Sequence, residues 1–181
     1  MLHFKRLTKV VVLCALCLSV AHGDGSSRIL RAETKLKDAE NDALLVHEKY
    51  EHGLSNGLEL LEADERVLRA RLELIRSSSV TADSAGYKQE EQLLRALMGN
   101  LKSQVELEQQ AGQTISCMKR KLYYLVQQIR ESSLLDISLS EVSNEYARLY
   151  KAYRSALRRQ YDHGLISYAE MENRSKVEPA R

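Results

Sequence analysis

The chain has no tryptophan, one phenylalanine and one proline in 181 residues. With a single proline, almost nothing breaks a helix by removing a backbone donor. Nine tyrosines therefore supply nearly all the aromatic surface. No alternating apolar and polar segment reaches the length of about ten residues that a membrane-spanning strand needs, so a transmembrane β-barrel is not encoded. The longest apolar run, Val10 to Ala21, has twelve residues and is too short to span a bilayer comfortably as a helix. Charge of one sign is also missing: 27 basic residues face 25 acidic ones, which gives nothing to attract nucleic acid. Cysteine occurs at Cys14, Cys17 and Cys117 only.

What is present begins with a basic front, Lys5, Arg6 and Lys9, followed by that apolar run and by small residues at Ser19, Ala21 and Gly23. The pattern predicts a secretory signal peptide over 1–23, cleaved after Ala21 or Gly23. Its removal takes three of the 27 basic residues and none of the 25 acidic ones, leaving a net charge of −1. Only Cys117 then remains, and one cysteine cannot close an intrachain bridge. It reads as a small packing residue, with an intermolecular disulfide as the alternative.

Leucine, alanine, glutamate, arginine and glutamine, all good helix formers, dominate the rest. We expect an all-α fold over 24–181, a single elongated domain of long antiparallel helices packed like a coiled coil. The first helix starts at Ser26 or Ser27 as N-cap and carries Leu30, Leu36, Ala39, Ala43, Val46 and Tyr50. A second carries Leu61, Leu68, Leu72 and Ile75. The polar cluster SSSVTADSAG reverses the chain. A long linking helix is predicted over about 87–132, a rod of roughly 65 Å at the α-helical rise. Its packing seam is Leu94, Leu97, Leu101, Leu122, Leu125 and Ile129, weakening from Glu108 to Gly112. The last helix opens at Ser138 or Ser140, with Ser138 and Glu141 at capping-box spacing. It sets Tyr146, Tyr150 and Tyr153 on one face, either a partner surface or an ordinary packing face.

One five-residue stretch, tyrosine, acid, histidine, glycine, leucine, is written twice. YEHGLSNGLE starts at Tyr50 and YDHGLISYAE at Tyr161. The shared residues are Tyr50, His52, Gly53 and Leu54 in one copy and Tyr161, His163, Gly164 and Leu165 in the other. A glycine at such a point permits a bend or a left-handed turn, so Gly53, Gly57 and Gly164 are expected as helix joints in repeats over about 28–76 and 139–176.

These two copies resemble the outer-membrane efflux protein family, the TolC-like exit ducts, whose halves are themselves an internal duplication. The matching stretches are AENDALLVHEKYEHGLSNGLELLEADERVLRARLEL and EVSNEYARLYKAYRSALRRQYDHGLISYAEMENRSK. Only the second copy fits the core Y-x-x-G-L-x-S in full. The resemblance covers about half of the mature chain, and the strands that complete the family's barrel are missing. It implies a helical body of the periplasmic kind, located in the periplasm or at the outer membrane. It also implies self-association as a trimer or contact with envelope export components. The rival readings are a free periplasmic chaperone or spacer and a secreted, host-directed effector. RILR at 28–31 resembles the RxLR translocation motif of oomycete effectors, and RVLR recurs at 66–69.

Catalytic chemistry is not legible. His47 and His52 are five apart and do not share a helix face, unlike the four-residue spacing of helical zinc pairs. His52 and His163 read either as a pH-sensitive joint or as helix-terminal residues at the negative end of a helix. No phosphate loop, nucleophile elbow or zinc-ligand cluster is visible. We therefore expect no enzyme, no cofactor, no metal, no nucleic acid, and no membrane-spanning segment after signal cleavage.

Overall fold

The structure, a computed structural model, describes residues 23–78, 84–112 and 114–177. The expected signal peptide and most of the SSSVTADSAG turn lie outside these residues. Every element among the described residues is a helix, as expected of an all-α chain. In order they are α1 (Gly23–Glu51), α2 (Gly57–Ser77), α3 (Ser84–Gln110), α4 (Thr114–Arg130), α5 (Ser132–Leu135), α6 (Leu139–Asp162) and α7 (Tyr168–Ser175). Among them, none is long and apolar enough to cross a membrane.

Each long helix packs mainly on its neighbours in sequence, α1 on α2, α2 on α3, α3 on α4, α4 on α6 and α6 on α7. Side-chain partners fix the directions. Lys35 meets Glu73, Glu40 meets Arg71 and His47 meets Asp64, so α1 and α2 run antiparallel. Arg76 to Glu90 and Gln104 to Glu65 do the same for α2 and α3. Ser116 to Glu108 sets α3 against α4, and Tyr153 to Arg174 sets α6 against α7. The molecule is a row of αα-hairpins, an arrangement in which each unit leans on the next.

The long linking helix expected over 87–132 is not one helix. Gly112 sits at φ +73° and ends α3, and the chain doubles back as α4. The seam weakened at Glu108 to Gly112 because a helix ends there. Two smaller expectations also change. α1 begins at Gly23, so Ser26 and Ser27 lie inside it rather than capping it. Ser138 does precede α6, but its hydroxyl makes no cap bond and faces Ser140 at 3.3 Å.

Two apolar clusters hold the row together. Leu72, Leu94, Leu97, Met98, Leu101 and Leu135 join α2, α3 and α5. Leu122, Tyr153, Leu157, Ile166 and Met171 join α4, α6 and α7. Helix α4 belongs to both, because Tyr123 and Tyr124 pack on the first cluster while Ile115 and Met118 pack on the second. The α1–α2 seam differs in kind. Its buried residues are Ala32, Ala43, Ala63 and Ala70, small side chains that let two backbones approach closely.

Candidate functional site

The duplicated Tyr-acid-His-Gly-Leu stretch opens a hairpin turn, built twice to one plan. In the first copy Gly53 N–H donates to the Tyr50 carbonyl at 3.0 Å and Leu54 N–H to the Lys49 carbonyl at 2.7 Å. In the second, Gly164 N–H donates to Tyr161 at 2.8 Å and Leu165 N–H to Gln160 at 2.9 Å. This pair of bonds is the Schellman motif, which needs a left-handed residue after the last helical turn. Gly53 at φ +69° and Gly164 at φ +67° supply it. The next helix is then capped. Asn56 Oδ1 accepts from the Leu58 and Glu59 amides, and Ser167 Oγ accepts from the Glu170 amide. Acidic Glu59 and Glu170 follow in the first turn, where the helix dipole favours them. Hydrogen bonding from Ser55 holds the Glu59 carboxyl below its ordinary value. The repeat thus encodes a reversal, not a bend. Gly57 is no joint: it is the first residue of α2, and a Cβ there would lie 3.6 Å from Leu107.

The two copies diverge in what they expose. Leu54 and Leu165 stand out at 77% and 70% accessible. Ser55 is polar and bonds Glu59, whereas Ile166 is buried in the second cluster. Tyr50 is exposed, while Tyr161 is half-buried, edge-on to Tyr168 and beneath the Arg158 guanidinium. His52 and His163 are both exposed at their helix ends.

Antiparallel packing along the row places the turns at Gly53, Gly112 and Gly164 at one end. Leu54, Leu165 and Tyr168 lie in these turns or next to them, with Tyr50 and Leu107 in the last turns of α1 and α3. The expected seam is elsewhere. Leu94, Leu97, Leu101, Leu122 and Leu125 are almost fully buried inside this one chain, and Ile129 is half-buried. Of the tyrosine face, Tyr153 is core, its hydroxyl donating to the Arg174 carbonyl at 2.7 Å. Tyr146 and Tyr150 stack at 5.7 Å and pack on the same cluster. Burial raises the pKa of Tyr146 and Tyr153.

Sequence reasoning missed a buried polar network. Arg120 on α4 pairs with Glu62 of α2 at 2.8 Å and Glu108 of α3 at 2.9 Å, and also donates to Gln104. Gln104 and Glu108 are 0% and 3% exposed. Burial lowers the Arg120 pKa, but its bonds to Glu62 and Glu108 outweigh that and leave it raised. Nearby, Arg69 lies over the Tyr123 ring and pairs with Glu65. Burial pushes Tyr123 up to about 12. Further along, Arg76 of α2 bridges Glu90 of α3 and Glu131 after α4. A signal for this existed. Glu90, Leu94, Leu97, Leu101, Gln104 and Glu108 alternate by four and three, so the polar residues occupy the same seam as the leucines.

These groups hold helices together. Burial, then Glu108, raises the Cys117 pKa, so its thiol stays protonated near neutrality and is a poor nucleophile. Among the described residues no three His, Cys, Asp or Glu side chains converge as metal ligands. No protein-family model, curated protein or solved structure matches the chain.

Proposed function

We propose that the chain is an exported all-α interaction protein, a self-contained row of hairpins that works through protein contact as an accessory of an envelope export assembly. The exposure of Leu54 and Leu165 at the common end of the hairpins carries this reading. Large apolar side chains held in water by a rigid, capped turn favour a surface that a partner covers. The buried ionisable groups, by contrast, are engaged in tying helices together. A wall-forming role like that of the efflux ducts is less well supported, since it needs long uninterrupted helices and seams facing other copies. Here Gly112 divides the helix, and the seam leucines face inward. The same two facts favour the second reading, a free spacer or holdase-like chaperone.

Light scattering after size exclusion tests the self-contained row. A monomer is expected, and a stable trimer would overturn it in favour of a closed ring. The partner end is tested by photo-crosslinking residues placed at positions 54, 165 and, as control, the exposed position 88 on the first turns of α3. Positions 54 and 165 should capture one common protein that position 88 does not. Capture from all three alike, or from none, would overturn the reading. If the purified protein instead suppresses aggregation of an unfolded client and captures no fixed partner, the chaperone reading replaces it.

A further inference from the structure

Helix α6 packs one face on α4 and α7 and turns the opposite face to solvent. From Tyr146 to Tyr161 the sequence has five basic residues and no acidic one, in a chain whose signs otherwise mix. Arg154 and Arg158 have acids to lean toward, Glu172 at 3.7 Å and Asp162 at 2.9 Å. Arg148, Lys151 and Arg159 are exposed and have no ion pair or hydrogen-bonded side-chain partner among the described residues. Lys151 and Arg159 follow Arg148 by three and eleven residues, so the three share one helix face. They spread over about 16 Å of it at the α-helical rise. Exposed Ala152 and Ser155 stand between them, and Ser155 turns its hydroxyl back onto the Lys151 carbonyl at 2.9 Å. The middle of the stripe is therefore flat, with cations at its edges.

A face that meets only water has no need of this pattern. On the exposed side of α3 opposite charges alternate at four-residue spacing, Glu91 with Arg95 and Lys102 with Glu106. On α6 like charges stand at that spacing or at three, Arg148 with Lys151, Lys151 with Arg154 and Arg154 with Arg158, which is unfavourable in an isolated helix. The helix dipole accounts for Arg159, which lies in the last turn. It does not account for Arg148 and Lys151, because its effect fades within one turn and they stand in the middle of a helix that runs from Leu139 to Asp162.

We propose that the outer face of α6 docks an acidic α-helix of a partner protein, with carboxylates on Arg148, Lys151 and Arg159 and its backbone close over Ala152 and Ser155. Three unpaired cations in a row select a polyanion, and their spacing is that of carboxylates on one face of a helix. The small residues between them let two helix axes come near the lower end of the usual range of about 8–10 Å. A face made for a bilayer would offer apolar side chains to insert, and one made for single-stranded nucleic acid would offer rings to stack on bases. The tyrosines of α6 lie on its packed side instead. The inference does not depend on the exposed leucines of the hairpin tips.

A helical peptide of alanine and glutamine, with glutamates spaced by three and four along one face, would be titrated into the purified protein and followed by amide chemical shifts. Its counterpart with glutamine in place of glutamate is the control. Shifts should concentrate at 148–159, and at low salt the glutamate peptide should bind at least about tenfold more tightly, the combined contribution of three exposed ion pairs. Arg148→Gln together with Lys151→Gln should remove most of that advantage. The urea midpoint of this double variant should equal or exceed the parent's, which separates lost binding from lost folding. The same loss of charge at Lys37 and Lys88, exposed on α1 and α3, should leave binding unchanged. The proposal is overturned if the two peptides bind alike, if neither binds at millimolar concentration, or if the two double variants weaken binding equally. Tighter binding of phosphatidylglycerol vesicles or of DNA at 148–159 than of the glutamate peptide would also overturn it.

Discussion

At the scale of the residue, the glycines divide into two kinds that composition cannot separate. Gly53 and Gly164 sit at positive φ in open space, so a methyl group there clashes with nothing and meets only backbone strain. Gly53→Ala or Gly164→Ala should each lower stability by about 1–2 kcal/mol in urea denaturation, the cost of a left-handed L-residue. Gly99, inside α3 and also in open space, should respond oppositely. Gly99→Ala should raise stability by about 0.5–1 kcal/mol by improving helix propensity. Equal responses at 99 and 164 would refute the distinction. The repeat made Gly53 and Gly164 legible, because a duplicated Y-acid-H-G-L singles out its glycine. Gly112 has the same backbone conformation but no duplicate, so it passed as an interruption within a helix. A second residue-scale outcome concerns alkali. The Tyr123 phenol titrates at about 12 in the fold against 10.0 ordinarily. Above pH 10 the unfolded chain therefore loses a proton that the folded chain keeps, and stability falls as pH rises. Tyr124, Tyr146 and Tyr153 shift in the same direction. Tyr123→Phe should flatten the decline in thermal midpoint between pH 10 and 12, and an unchanged decline would place it on the other tyrosines.

At the scale of the element, helix α3 owes its position to a seam half of which is polar. Periodicity found Leu94, Leu97 and Leu101 and stopped where Gln104 and Glu108 continued the same spacing. A polar residue on a buried face looks like a solvated one until a third helix supplies its partner. That partner, Arg120, is nineteen residues past Leu101, the last seam leucine of α3, and across a turn, a relation local sequence does not contain. Its removal is informative because it leaves a nearly buried carboxylate behind. Arg120→Met should cost about 3 kcal/mol, as removal of one member of a buried pair does. Adding Glu108→Leu should restore much of that loss, since no unpaired charge then remains. Urea midpoints of the parent, single and double variants form the measurement. Additive losses in the double variant would show that the pair does not act as a unit.

At the scale of the whole molecule, the row of hairpins sets how stability is distributed. Helix α1 leans principally on α2 through alanines and exposed ion pairs, which contribute little each. Helices α3 and α4 are packed from both sides and carry the network around Arg120 and the bridge from Arg76. In a row of nearest-neighbour contacts, opening proceeds inward from the ends. Native-state hydrogen exchange should therefore show the largest protection in the middle of α3 and α4, with α1 and α7 exchanging at far lower opening free energies. Uniform protection would contradict the row and indicate one cooperative body. Among the described residues the two apolar clusters meet at α4, whose adjoining faces hold Tyr123 and Leu122. Loosening α4 from α2 and α3 by Arg120→Met should then do more than destabilise. It should let the α6–α7 hairpin stay folded on α4 after α1 and α2 have melted. The urea transition of that variant should broaden, with an apparent m-value below the parent's, the mark of lost two-state behaviour. A lower midpoint at an unchanged slope would mean that the clusters are coupled through more than this one helix.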